Sequence, residues 1–215
     1  IIKFIPLKIL PNKFHKLDYL LLRSDYGVYL AQRGIFSINE IAKILNISKL
    51  EIISYLNKNS PDSKELEKLS FKNKIGYYEL SRYMEGQLLR DTDVFGMRNS
   101  IEIRVPFLSL SLLNYLNKIV FKEKIKNNIT KFMLKKIAEN YFDEKFVYRK
   151  KMGFDYPLNK WINSEHINFL KGHKNIIDVK QLNKLWLNNN SYFIPRLIFV
   201  TVMYVLWIKE NKVIL

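Results

Sequence analysis

Two lysine-bearing segments and one charged, apolar-rich segment hold the residue types that could do chemistry here. Thr130-Lys131 and Arg149-Lys150-Lys151-Met152-Gly153-Phe154-Asp155-Tyr156-Pro157-Leu158 each offer ammonium groups as point charges for phosphate oxygens. In the second, Gly153-Phe154 and then the helix-starting Pro157 close the cation cluster, so the loop is held at both ends. Leu88 to Leu108 interleaves Asp91, Asp93, Arg98, Glu102 and Arg104 with core-type residues. Charges so placed must pair or face a polar cleft, because an unpaired buried charge is very costly. Two readings of this stretch stand level on the residues alone. One is a Glu102–Arg104 network fixing a bent connector, the other a cleft wall for a charged substrate. A lysine segment taken singly is more commonly a solvated face.

Other chemistries are excluded within the chain. With no cysteine there is no disulfide scaffold, zinc-thiolate site or cysteine nucleophile. The three histidines, His15, His166 and His173, make no metal cluster, and no metal ligand is assigned. The seven glycines are so dispersed that neither a G-x-G-x-x-G turn nor a P-loop can be written. A nucleotide phosphate would need its backbone cradle from another segment. The net charge of +16 suggests polyanions, yet only eight of the 36 cations are arginine. With Ile and Asn also abundant, the pattern fits an AT-rich coding sequence whose excess lysine lies on solvated faces. Such a field still attracts ATP or pyrophosphate.

The elements that must position these residues read as helical nearly throughout. Apolar spacing predicts a helix over Leu17–Arg33, ending at Gly34. Ser37 with Glu40 opens a helix to Leu45, and Ser48 with Glu51 opens another through Leu56, both as capping boxes. Ser60-Pro61-Asp62-Ser63 is a loop and the best internal boundary, near 60–63. Two helices meeting near Gly76 are predicted from Lys64 to about Met97, then an extended connector at Ile101–Val105 ended by Pro106. Helices follow over Leu108–Ile119, Thr130–Tyr141, Pro157–Trp161, Gln181–Trp186 and Ile194–Lys209, with a loop at Asn188-Asn189-Asn190. The apolar run Leu197–Trp207 is too short to span a bilayer and suits a buried terminal helix. The opening from Ile1 lacks the features of a signal peptide and reads as part of something longer. The fold class expected is mainly α.

Glu40 to Ile52 also fits a helix-turn-helix: Ala42 at the crossing, Asn46 in a left-handed turn, Ile47, Ile52 and Leu56 inward. Any tight helix pair has these needs, however. The second helix carries Lys49, Glu51 and Ser54, and no base-reading amide until Asn57. DNA binding is therefore the disfavoured reading.

Three motifs in order carry a more specific likeness. L-L-R-D-T-D-x-x-x-M-x-x-x-I-E-I-R-V-P-F-L, then T-K-x-x-L-K-K, then R-K-K-x-G-F-x-x-P-L-x-x-W resemble the C-terminal part of the asparagine synthetase domain. Tyr29 to Phe36, Leu185-Trp186 and Leu206-Trp207 are similar to that family too, so the resemblance covers nearly all the chain. It implies an ATP-dependent ligase that adenylates a carboxylate, the side chain of aspartate, and lets ammonia displace AMP to give asparagine. Lys151 matches the lysine that contacts the phosphates and the reacting centre. Lys131 matches a second lysine on the ATP/pyrophosphate side. Asp93, Glu102 and Arg104 match motifs that touch substrate or shape its cleft.

The fold implied is the helical portion of a PP-loop ATP pyrophosphatase α/β synthetase domain, of the adenine-nucleotide α-hydrolase-like kind. Residues 1–215 would be its C-terminal part, inactive alone, in a cytoplasmic enzyme with no membrane attachment. The family's S-G-G-x-D-S loop, D-E-x-F-G-G-Y segment and cysteine glutaminase are not in these residues. The implied partners are thus the upstream part of the same ligase or a separately encoded equivalent, with ATP and Mg2+ held mainly there. Ser109 replaces the aspartate of P-F-L-D, and Val94 the arginine of D-R. Relatives amidate sugars or close lactam rings, so another acceptor carboxylate is the first alternative. A non-catalytic relative kept as an interaction module is a further one.

Overall fold

Serine caps and apolar spacing set the local order of the first helices. The computed structural model describes residues 12–150, 152, 156–188 and 193–212. They are mostly helical and fall into two compact units, Ile1–Ile75 with Asp155–Leu215, and Gly76–Phe154.

In the first unit a 3-10 helix, Asn12–Leu22, precedes α1 (Asp25–Arg33). The single helix expected over Leu17–Arg33 is broken because Arg23 turns left-handed, φ 51°, and Ser24 starts α1 afresh. The Ser24 hydroxyl accepts from the Gly27 amide at 3.1 Å. The two helices touch at Gly27, where a Cβ would lie 2.6 Å from the Tyr19 carbonyl oxygen and 3.0 Å from Leu22 Cβ. Gly27→Ala must push them apart, at an expected cost of about 1–3 kcal/mol. A lowered urea midpoint at unchanged slope checks this. No shift would mean the contact yields freely.

Both capping boxes form as the sequence requires, opening α2 (Ile38–Leu45) and α3 (Lys49–Lys58). Ser37 N donates to Glu40 Oε2 at 2.7 Å, and Ser48 N to Glu51 Oε2 at 2.7 Å. Asn46 closes α2 in the left-handed region, φ 53°. Ala42 and Ile52 are buried and Leu56 half-buried, but Ile47 is exposed, against expectation. It lies in the turn before α3, off that helix's inner face.

Asp18 is buried beneath α2. Its Oδ2 accepts from Asn39 N at 2.9 Å, while Oδ1 has no partner among the described residues. Burial raises its carboxyl above the ordinary aspartate range, outweighing the lowering by the Asn39 and Ile38 amides. The folded state therefore holds this proton to higher pH than the unfolded chain. Asp18 stabilises fully below its unfolded pKa, and that contribution is lost as pH rises through the raised folded value. Asp18→Asn should remove this decline with rising pH from a stability–pH profile. An unchanged profile would place the decline elsewhere.

After the Ser60–Ser63 loop come α4 (Lys64–Glu67) and α5 (Phe71–Tyr78). The expected break at Gly76 falls instead at Lys68–Ser70. Gly76 sits within a helix that has open space where a Cβ would be, so nothing there demands a break. The units divide inside α5, at Ile75/Gly76, and the 60–63 loop belongs to the first.

The second unit continues as a π-wound stretch, Glu79–Leu89, into α6 (Arg90–Arg98). The extended connector at Ile101–Val105 is present as expected, followed by a 3-10 turn at Pro106–Leu108. Then come α7 (Leu110–Asn117), α8 (Phe121–Lys124), β1 (Ile125–Lys126), β2 (Ile129–Thr130), α9 (Phe132–Ala138) and α10 (Glu144–Val147). The strands form an antiparallel hairpin in which Ile125 faces Thr130 and Lys126 faces Ile129. Asn127 and Asn128, both left-handed at φ 51° and 60°, make its two-residue turn. The helix expected over Thr130–Tyr141 is shorter because Thr130 is taken by that hairpin.

The chain returns to the first unit with α11 (Leu158–Trp161), α12 (Ser164–Lys171), α13 (Val179–Asn188) and α14 (Phe193–Glu210). Leu158, Ile162, Ile167, Leu170 and Leu182 form one core with Ile194, Leu197, Ile198 and Val205 of α14. Asp178 N donates to Ile44 O at 2.7 Å, tying the start of α13 to α2. Asn189 and Asn190 of the expected loop lie outside the described residues. Among the described residues no helix is long and apolar enough to cross a membrane.

Candidate active site

Of the residues singled out for chemistry, Asp93, Glu102, Arg104 and Lys131 lie in the second unit, on α6, the connector and the start of α9. α6 ends where the connector doubles back over it: Ile101 N donates to Gly96 O at 2.9 Å. A Cβ on Gly96 would lie 2.8 Å from the Ile101 carbonyl oxygen, so this crossing requires glycine. Sequence reasoning missed Gly96 as a shaping residue. Its signal was a glycine inside an otherwise helical pattern.

On the connector, residues two apart share one side of the extended backbone. Glu102 and Arg104 do so, and Arg104 Nε donates to Glu102 Oε1 at 2.9 Å. Their side chains are 69% and 83% exposed, so the pair adds little stability. Asp93 lies exposed in the first turn of α6. Among the described residues no hydrogen bond or ion pair joins Asp93 or Lys131 to the Glu102–Arg104 pair. The apolar residues around these charges, including Phe95, Met97, Ile103 and Phe107, are exposed as well. The premise that the charges are interleaved into a core is therefore corrected: within the described part of 76–154 only Tyr78 and Gly96 are buried.

Lys131 takes a left-handed conformation, φ 57°, between the hairpin and α9. For a residue with a Cβ this costs on the order of 1 kcal/mol, met by the flanking structure. Its carbonyl accepts from Lys135 N at 3.0 Å in the first turn of α9, and the residue is exposed. Lys151 lies outside the described residues, as do Gly153 and Phe154.

A polar network that the sequence did not announce joins α9 to the residue after α10. Tyr148 Oη donates to Glu139 Oε1, and Lys136 Nζ donates to both Glu139 oxygens at 3.0 and 2.9 Å. Lys135 Nζ stands 5.1 Å from the Tyr148 ring centre. The Tyr148 hydroxyl and then Lys136 hold the Glu139 carboxyl below its ordinary range, and the same bonds raise Tyr148 and Lys136. Beside them the Arg149 guanidinium lies 4.0 Å over the Phe146 ring, and its Nη1 donates to Phe146 O at 3.0 Å.

The donor set suits phosphate better than metal. Exposed lysine ammonium groups supply point charges for phosphate oxygens. Among the described residues no three histidine or carboxylate side chains gather to hold a cation, so these residues do not fit Mg2+.

A family model described as asparagine synthase matches residues 10–188, which include Asp93, Glu102, Arg104, Lys131 and Lys151. The chain belongs to the asparagine synthase family. Asparagine synthetase (glutamine-hydrolyzing) 1 of Bacillus subtilis (strain 168) is 37% identical over 109 residues, 51% of this chain and 17% of that protein. Asparagine synthetase (glutamine-hydrolyzing) 3 of the same organism is 30% identical over 114 residues, 49% of this chain and 19% of that protein. The chain thus spans under a fifth of the length of these curated relatives. No solved structure matches it.

Proposed function

We propose that this asparagine synthase-family chain is the helical C-terminal portion of an ATP-dependent, amide-forming ligase of PP-loop type. The observation that carries the reading is a family match running from residue 10 to 188, a span that contains the three long motifs. Aspartate is the first acceptor proposed. A carboxylate oxygen attacks the α-phosphorus, the bond to the β-phosphate oxygen breaks, and pyrophosphate leaves. Ammonia then adds to the acyl carbon, AMP departs with the bridging oxygen, and the nitrogen loses a proton to leave the amide.

Lys131 and Lys151 act in the first step. Negative charge builds on the α-phosphate and the leaving pyrophosphate, and fixed ammonium groups aimed at it lower the barrier. Asp93, Glu102 and Arg104 line the acceptor side. Arg104, paired with Glu102, offers a cation to the acceptor carboxylate. Mg2+ is assigned to the upstream part of the ligase, and no step is routed through it here. That part, on the same chain or separately encoded, also supplies the pyrophosphate loop and the nitrogen source, in the cytoplasm where ATP is drawn.

Ser109 and Val94 favour keeping a second acceptor in view, a sugar or lactam-forming carboxylate. The α2–α3 pair is accounted for as packing, with Ala42 and Ile52 buried and Leu50, Glu51 and Tyr55 outward. The test is ATP–pyrophosphate exchange by the full-length protein containing this chain. Exchange that requires aspartate is the expected result. Exchange with a different carboxylate moves the substrate, and none with any sinks the ligase.

A further inference from the structure

We infer that Tyr148, acting through Glu139, is a positioning residue that fixes the Arg149-Lys150 stretch, which leads in sequence into Lys151, against the helix opened by Lys131. This rests on the phosphate-side roles proposed for the two lysines. Those lysines are 20 residues apart in sequence, and two chemically distinct anchors join the stretches that carry them. α9 begins directly after Lys131 and presents Lys135, Lys136 and, at its end, Glu139. Tyr148 reaches back to that face with its hydroxyl on Glu139 and its ring under Lys135. The next residue, Arg149, is pinned to Phe146 by both ring and carbonyl. Covalent geometry lets two residues span at most ~7 Å, so an anchor at Arg149 restricts Lys151 whatever conformation it adopts.

The energetics separate positioning from stability. Glu139 and Lys136 are 30% and 54% exposed, and ion pairs that wet contribute little to folding. Displacing a catalytic charge by about 1 Å, by contrast, costs up to ~100-fold in rate. The network's removal should therefore appear in turnover and in local exposure, not in global stability.

Two readouts on the full-length protein test this. Tyr148→Phe and Glu139→Ala should each speed trypsin cleavage after Arg149, Lys150 or Lys151 several-fold, with little change in Tm. Each should lower kcat for ATP–pyrophosphate exchange about tenfold, at unchanged KM for the acceptor carboxylate. Glu139→Gln keeps an oxygen for the Tyr148 hydroxyl and should lose less than Glu139→Ala. The double variant Tyr148→Phe/Glu139→Ala should be no worse than either single, because both remove one device. Unchanged cleavage would overturn the anchor, and faster cleavage with unchanged kcat would overturn its role in catalysis. Wild-type protein without exchange would sink the ligase reading, and the protease rates would then still decide the anchor.

Discussion

Lys151→Ala in the full-length protein should lower aspartate-dependent ATP–pyrophosphate exchange by about 10²–10³-fold, with KM for aspartate little changed. The size follows from where the charge acts. An ammonium that meets the phosphates only as negative charge accumulates stabilises the transition state more than the bound substrates, so its loss falls on kcat. Lys151→Arg should recover little. A planar, delocalised guanidinium cannot occupy the place of a compact ammonium on a short reach to one oxygen. The equivalent loss at Lys131 should be smaller if its exposed ammonium meets pyrophosphate away from the reacting phosphorus. Lys131→Gly gives a clean control, since glycine removes the charge while easing the left-handed backbone at φ 57°. A drop in exchange with unchanged or raised stability then isolates the charge. Exchange surviving Lys151→Ala intact would remove that residue from the chemistry.

The legible parts of this molecule are those decided by neighbours in sequence. Both capping boxes, the left-handed Asn46 and the extended connector before Pro106 depend on contacts within a few residues, and they form as expected. The break at Arg23 was hidden because apolar spacing continues across it, and only the Ser24 cap marks the restart. The hairpin at Asn127-Asn128 was missed although paired asparagines are a turn signal, since two-residue strands have too little alternation to register. In the second unit the difficulty is different. Phe95, Met97, Ile103 and Phe107 have core-type side chains, and spacing alone gives no way to foresee that they are exposed here. For the site, sequence could pair Glu102 with Arg104 because they are neighbours on one strand-like face. It could not pair Tyr148 with Glu139, nine residues apart across two helices, because that needs the fold.

Leu197→Ala should be among the most damaging single changes to the first unit, at about 3 kcal/mol within the usual 2–5 for a buried leucine. Leu197 is fully buried on α14, next to Ile198 and in one cluster with Leu170, Leu182 and Val205. Its surroundings come from α11, α12 and α13, elements that pack on α14 and cannot all close on the vacated volume. The backbone at this point is also committed, since the Leu197 carbonyl accepts from Thr201 Oγ1 at 2.8 Å. The other side of α14 sets the contrast. Phe199, Met203 and Trp207 are 41%, 50% and 56% exposed, so apolar character alone does not rank positions on this helix; burial does. Leu50, 77% exposed on α3, should change stability by less than about 0.5 kcal/mol when replaced by alanine. Urea unfolding of both variants at unchanged slope measures the difference. A Leu197→Ala cost near that of Leu50→Ala would mean that α14 is not built into the core of this unit.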